Sequence, residues 1–191
     1  MTSYFRNEIG NIKEKLGEIA VALNIGITDI EEGVKSAKAW KKAGGDIFEL
    51  NIHGNWQNLR DEGYLRGMAL PEYRQRLREW TGALMEEDIR LYLKFNSNIN
   101  INFLELLDSL QEYNVPGYHF NIRGENGQPR FKFLRRILNK IDTVFLCSGY
   151  IRNPEQVKRL WEMGVDSAGF AQPVLDDCEF IQKISDKFPG N

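Results

Sequence analysis

The chain has 191 residues, 42% of them apolar, and 25 Lys and Arg against 27 Asp and Glu give a formal charge of −2. That length supports one domain with a sizeable core, and the near-balanced charge supplies no global field that would favour nucleic acid or an anionic membrane. No apolar run reaches the length of a membrane span and no opening stretch has the form of a secretory leader, while Cys147 and Cys178 have neither metal-ligand nor framework spacing; the expectation is a soluble, cytoplasmic protein in a reducing compartment.

The first predicted element is a helix from Ser3 to Leu16, followed by a strand from Glu18 to Asn24. A helix from Asp29 to Ala43 opens on the capping pair Asp29 and Glu32 and is stopped by Gly44 and Gly45. Next come a strand from Asp46 to His53, a helix from Pro71 to Met85, a strand from Ile89 to Asn96 and a helix from Asn102 to Tyr113. The second half offers a strand from Gly117 to Arg123, a helix from Phe131 to Asn139 and a strand from Thr143 to Ser148. A helix from Asn153 to Met163 carries Pro154 at its first position and Gln156 closing a capping box, and Gly164 stops it. A strand from Ser167 to Ala171 and a helix from Cys178 to Phe188 complete the set. Strict alternation, with no linker or low-complexity segment, argues for a parallel α/β sheet in one domain over residues 1–191.

Three of these strands alternate in polarity instead of reading as continuous apolar runs. Phe48, Leu50 and Ile52 alternate with Glu49, Asn51 and His53; Leu91, Leu93 and Phe95 with Arg90, Tyr92, Lys94 and Asn96; Tyr118, Phe120 and Ile122 with His119, Asn121 and Arg123. In a (β/α) barrel the apolar face meets the helices, so the polar set points inward and lines the mouth at the strand ends. An open sheet with one wet face is the alternative, which strand-helix alternation opposes. An inward Lys or Glu must pair with a neighbour, with water or with a ligand, because burying it alone costs several kcal/mol.

The last quarter has the layout of a phosphate cradle. An apolar strand ends in Ser148, Gly149 and Tyr150, a capped helix follows, and the next strand carries Gly169 and Phe170. In barrels the loops after the last two strands and a helix N-terminus offer backbone N–H groups to a phosphate, which Gly lets approach closely. The same pattern also occurs as ordinary strand-helix connections. Arg130, Lys132, Arg135, Arg136 and Lys140 crowd into one helical stretch, readable as a solvated helix face or as a local patch for RNA. Trp40, Trp56, Trp80 and Trp161 read as helix-to-barrel packing, with Trp56 also placed to stack on a ring.

These motifs resemble the flavin-dependent barrel oxidoreductases, especially the tRNA-dihydrouridine synthases and the dihydroorotate dehydrogenases, over nearly the whole chain. Phe48, Glu49, Leu50 and Asn51 resemble the strand that ends in an acid, one residue, then Asn; Leu93 and Lys94 resemble the strand whose Lys approaches the flavin. Asn121, Ile122, Arg123 and Gly124 are similar to a His-x-Arg strand end, Ser148 to Ile151 to an Asn-Gly-Asp-Ile turn, and Gly169 with Phe170 falls where the family carries Gly-Arg. The resemblance implies FMN as cofactor, with Lys94 setting the flavin's electronics. It implies Asn51 and Asn121 facing the ring or substrate, and Ser148, Gly149 and Gly169 cradling the phosphate, with Arg123, Tyr150 and Phe170 beside them. The implied substrate is a small molecule or tRNA.

The sequence departs from that family at defined places. His53, Gly54 and Asn55 replace the Gly-Cys-Pro after the Asn strand, and the stretch from Gly63 to Leu70 has no Cys where dihydrouridine synthases carry a catalytic one; Met68 lies near that place. The six strands match the family's third to eighth, so the expectation is that the helix from Ser3 to Leu16, a partner chain or a second copy fills the gap, or that the chain is truncated. Two other functions fit the residues: a flavin-free phosphate-binding barrel lyase or isomerase in which Glu49 and Lys94 act as acid and base, and a degenerate, non-catalytic barrel subunit.

Overall fold

The junctions that feed the strands are built alike at both ends of the chain. After the second helix Gly44 takes φ +90°, and Asp46 then ties itself to the preceding strand: its N–H donates to Val21 O at 3.0 Å and its carboxylate accepts from Val21 N at 2.8 Å. Late in the chain Gly164 takes φ +90°, Asp166 N–H donates to Phe145 O at 3.0 Å, and its carboxylate accepts from Phe145 N at 2.7 Å. Glycine ends the helix at no steric cost, and the Asp two residues on clamps the returning chain beside its neighbour.

The structure is a computed structural model that describes residues 1–188. It contains strands β1 (Ala22–Ile25), β2 (Ile47–Ile52), β3 (Leu91–Asn96), β4 (Gly117–Asn121), β5 (Val144–Ser148) and β6 (Ser167–Gly169). The helices are α1 (Thr2–Leu16), α2 (Ile30–Lys42), α3 (Gln57–Asp61), α4 (Arg74–Met85), α5 (Phe103–Asp108), α6 (Phe131–Leu138), α7 (Pro154–Glu162), α8 (Gln172–Asp176) and α9 (Phe180–Lys187). Strand order follows chain order from β1 to β6, the arrangement of a TIM-barrel-type α/β fold. The chain divides into two compact units: residues 1–95 with 101–118, and residues 96–100 with those from 119 onward.

In the first unit β1, β2 and β3 are parallel, with Asn24 opposite Glu49 and Asn51 opposite Lys94. Phe48, Leu50, Ile52, Leu91, Leu93 and Phe95 are essentially inaccessible, as are Ala37 of α2 and Leu77 and Leu84 of α4. Each of the Phe, Leu and Ile side chains among them contributes about 1.5–3 kcal/mol on burial. α1 packs on α2, Phe5 meeting Trp40 edge-on at 5.3 Å and Lys13 pairing with Asp46 at 3.1 Å. In the second unit β5 and β6 are parallel from Leu146↔Ser167 to Ser148↔Gly169. Its core stacks Phe120 on Phe145 at 5.4 Å and buries Leu134 and Ile137 of α6 with Val157 and Leu160 of α7.

All six expected strands are present, with three local corrections. The first begins at Ala22 and not at Glu18, because Gly17 (φ +76°) ends α1 and residues 18–20 stay exposed until Val21 meets Asp46. The helix expected from Asn102 to Tyr113 breaks into α5 and a 3-10 turn, since the Ser109 hydroxyl donates to Leu106 O at 2.6 Å and competes with the helical pattern. The one expected from Pro71 opens as a 3-10 turn before α4 begins at Arg74. α3, α8 and a 3-10 turn over Leu65–Ala69 were not expected from the sequence.

Candidate functional site

Strand alternation puts Asn24, Glu49, Asn51, Tyr92 and Lys94 on one face of β1, β2 and β3, across three registered neighbours. Lys94 Nζ donates to Glu49 Oε1 at 3.2 Å, with the Lys94 side chain 19% and the Glu49 side chain 9% exposed. The same Glu49 oxygen accepts from Asn24 Nδ2 at 2.5 Å. Asn24 Oδ1 in turn accepts from Asn51 Nδ2 at 2.9 Å, and Asn51 Oδ1 accepts from the N–H groups of His53 and Gly54, both at 2.9 Å. The three residues expected to do chemistry, Lys94, Glu49 and Asn51, thus form one chain of hydrogen bonds. Asn24, at the end of β1, links it.

That chain holds a half-buried ammonium against a carboxylate and fixes the loop after β2. The loop is further clipped by Arg66, whose Nε and Nη2 donate to His53 O at 3.3 and 3.2 Å; burial pulls this guanidinium below its ordinary pKa. Met68, near the place where the sequence resemblance would set a Cys, is inaccessible to solvent. Trp56 is 70% exposed in the same loop, so it does not act as helix packing, whereas Trp40 and Trp80 are buried.

In the second unit, Ser148 at the end of β5 shares a 2.7 Å hydrogen bond between its hydroxyl and His119 Nε2. Gly149 follows at φ +94° and Tyr150 at φ +58°. A Cβ at Gly149 would lie 2.4 Å from Asn121 Oδ1, which accepts from Arg123 N at 3.1 Å. Asn121, Ser148 and Gly149 are therefore brought together, with glycine demanded both by backbone conformation and by the Asn121 side chain. Arg123 lies over the Tyr150 ring at 4.5 Å and Arg152 at 5.8 Å. α7 begins at once, Asn153 Oδ1 accepting from Gln156 N at 2.9 Å as expected, while Gln156 Oε1 accepts from Arg152 N at 2.6 Å, one residue before the position a capping box would use.

Gly169 sits beside Ser148, 3.2 Å from its Cβ to an added methyl. Phe170 instead turns its ring edge-on to Phe180 of α9 at 5.3 Å, an ordinary packing contact. The donor set of this turn suits a phosphate: two guanidiniums, Arg123 and Arg152, bracket Tyr150, and Gly149 removes side-chain bulk. Lys94 suits a ring carbonyl or an anionic ring nitrogen, being a half-buried donor with further N–H bonds beyond the one to Glu49.

Sequence reasoning missed Asn24, Arg66 and Arg152. Asn24 had a signal, since it is the polar residue of an otherwise alternating Ala22–Ile25 run in line with Glu49. Arg66 had none, because its role depends on how the loop after β2 folds back.

The strand order and the polar rows define an α/β fold of the TIM-barrel type. Among solved structures, the chain is similar to DHODH from Eimeria tenella in complex with ferulenol, with a TM-score of 0.71 at 12% identity. The likeness covers 97% of this chain and 61% of that one, so the chain spans about three-fifths of the neighbour's length. No family model and no curated protein matches the sequence. Among the described residues no helix is long and apolar enough to cross a membrane.

Proposed function

We propose that the chain acts as an FMN-dependent oxidoreductase resembling the dihydrouridine synthases, on a substrate that does not need a thiol proton donor. The observation that carries this reading is the half-buried Lys94, held by Glu49 on a polar strand face of a fold shared with a DHODH. FMN, when bound, supplies hydride transfer. Lys94 would hold the ring through its ammonium, and Glu49 and Asn24 fix where Nζ sits. Asn51, tied on both ends of its amide, keeps the loop after β2 in place. Ser148, Gly149, Tyr150 and the guanidiniums of Arg123 and Arg152 take the phosphate, with Gly169 keeping the next strand close.

The inaccessible Met68 donates no proton, so reduction of a uridine double bond would need a donor from elsewhere. The outer side of β1 has no strand partner among the described residues, and a second copy or a partner chain adding strands there belongs to the same proposal. Sedimentation velocity on the purified chain tests it.

The direct Lys94–Glu49 contact also favours a second reading, a flavin-free phosphate-binding lyase or isomerase using the two groups as acid and base. Visible absorbance of the purified protein, followed by FMN titration, separates the readings. Stoichiometric flavin that Lys94→Met weakens at least tenfold is the expected result. A colourless protein that ignores added FMN overturns it; binding of a sugar phosphate then favours the second reading, and its absence a non-catalytic subunit.

A further inference from the structure

Many of the surface cations of this chain sit against a carboxylate. Lys35 pairs with Glu32 at 2.7 Å, Lys38 with Glu87 at 3.2 Å, Lys41 with Asp88 at 2.8 Å, Lys158 with Glu162 at 3.6 Å, and Lys183 with Asp177 at 2.8 Å. Around α6 the open cations are gathered in one place. Lys132, Arg135 and Arg136 of α6 and Arg159 of α7 are exposed, and none has an acidic partner among the described residues. With a molecular charge of −2, this concentration is not a by-product of a basic protein.

The cluster has shape as well as charge. A cleft of about 480 Å³ is lined by Arg130, Lys132, Arg136 and Arg159 with Phe131 and Phe133, and no carboxylate lines it. Two of the cations are held in place by rings: Arg159 lies over Phe131 at 4.1 Å and Arg130 over Phe133 at 5.2 Å. Arg130 Nη1 also donates to Ser97 O and, at 3.3 Å, to Asn98 Oδ1. Lys132 and Arg136 are four residues apart, on one face of α6 and about 6 Å along its axis. The helix anchors this face by burying Leu134 and Ile137 beneath it.

We infer that this cleft binds the sugar-phosphate backbone of a single-stranded nucleic acid, with Lys132, Arg136 and Arg159 on successive phosphates. A row of unneutralised cations matches a chain of phosphates better than one compact anion, and pre-positioned guanidiniums beside Phe131 and Phe133 offer flat surfaces to an unstacked base. Arg over a ring loses less freedom on engaging a phosphate than a free lysine does. The site uses none of the residues assigned to flavin, so each reading stands or falls without the other.

The test is fluorescence anisotropy of a 5′-fluorescein-labelled 20-nucleotide oligouridylate titrated with the full chain. For three or four phosphate contacts, log affinity should fall against log salt with a slope of about −2 to −3, or roughly 20- to 60-fold between 50 and 200 mM. Lys132→Gln with Arg136→Gln should flatten the slope by about 1.4, at 0.7 per contact, while Lys158→Gln, which removes a paired cation, changes nothing. Far-UV circular dichroism confirms folding of these exposed variants. The inference is overturned by no anisotropy change at 50 mM salt, by a slope indifferent to the double substitution, or by stronger sedimentation with phosphatidylserine vesicles than binding to oligouridylate. Equal competition by uridine monophosphate at matched phosphate concentration would also overturn it, assigning the cleft to a free nucleotide.

Discussion

Lys94 of β3 and the cations of α6 are treated in opposite ways. Lys94 is turned onto a polar strand face and given a carboxylate at 3.2 Å, in a hydrogen-bonded chain through Asn24 and Asn51. Lys132, Arg135 and Arg136 are turned to solvent with no carboxylate among the described residues. A half-buried ammonium without a counter-charge would cost several kcal/mol, so the fold must satisfy Lys94 before any ligand arrives. Exposed cations cost nothing to leave unpaired and can be kept for a partner. Cations paired in the folded chain and cations left open are different resources, and the second kind meets an external anion without sharing it with a carboxylate of the chain.

The sharpest way to break this contrast is to remove the paired carboxylate. Glu49→Gln leaves Lys94 facing a neutral amide in place of its counter-charge and is expected to cost about 3 kcal/mol, read as a lower urea midpoint at unchanged slope. Lys94→Met combined with Glu49→Leu should recover most of that loss, because the pair is replaced by apolar groups of similar volume. Arg136→Gln should shift the midpoint by less than about 0.5 kcal/mol. If Arg136→Gln were as destabilising as Glu49→Gln, the two kinds of cation would not differ.

The next effect concerns the turn after β5. Gly149→Ala forces a side chain into φ +94° and puts its Cβ 2.4 Å from Asn121 Oδ1, and should cost about 1–3 kcal/mol. Asn121→Ser in the same chain removes the contact but not the backbone strain, so it should return only part of the loss. Full recovery would mean that the glycine is there for packing alone.

Much of the strand framework was legible from period-two alternation, because burying Phe48, Leu50, Ile52, Leu91, Leu93 and Phe95 fixes register and sets Glu49, Asn51 and Lys94 on the other face. The Asn153 and Asp29 caps were legible from short local patterns. Asn24's link to both Glu49 and Asn51 was not, since it depends on pairing across three strands. Phe170 shows the limit of reading roles by position: the sequence resemblance sets it against an Arg, but it packs on Phe180, a residue ten positions away that no local pattern connects to it. Lys94's partner was foreseeable as a need, though not as a particular oxygen.

Asn153→Ala removes the side chain that accepts from Gln156 N, and is expected to cost about 1 kcal/mol. The smallest effect, and the one that best compares the two ends of the chain, lies in Asp46. Val21's N–H, and then Lys13, hold its carboxyl below the ordinary value of 3.8. A depressed folded pKa means that the stabilisation is complete above the unfolded value, so it is present at neutral pH and is lost as pH falls below about 4 through the folded value. Asp46→Asn should therefore lower the thermal midpoint at pH 7 and narrow its gap to the parent as pH drops toward 3. Both partners are about one-third exposed, so solvent screens the Lys13 contribution, and added salt should erase that part while leaving the Val21 bond. A constant gap across this range would mean that the clamp holds β1 by geometry alone, with no contribution from charge.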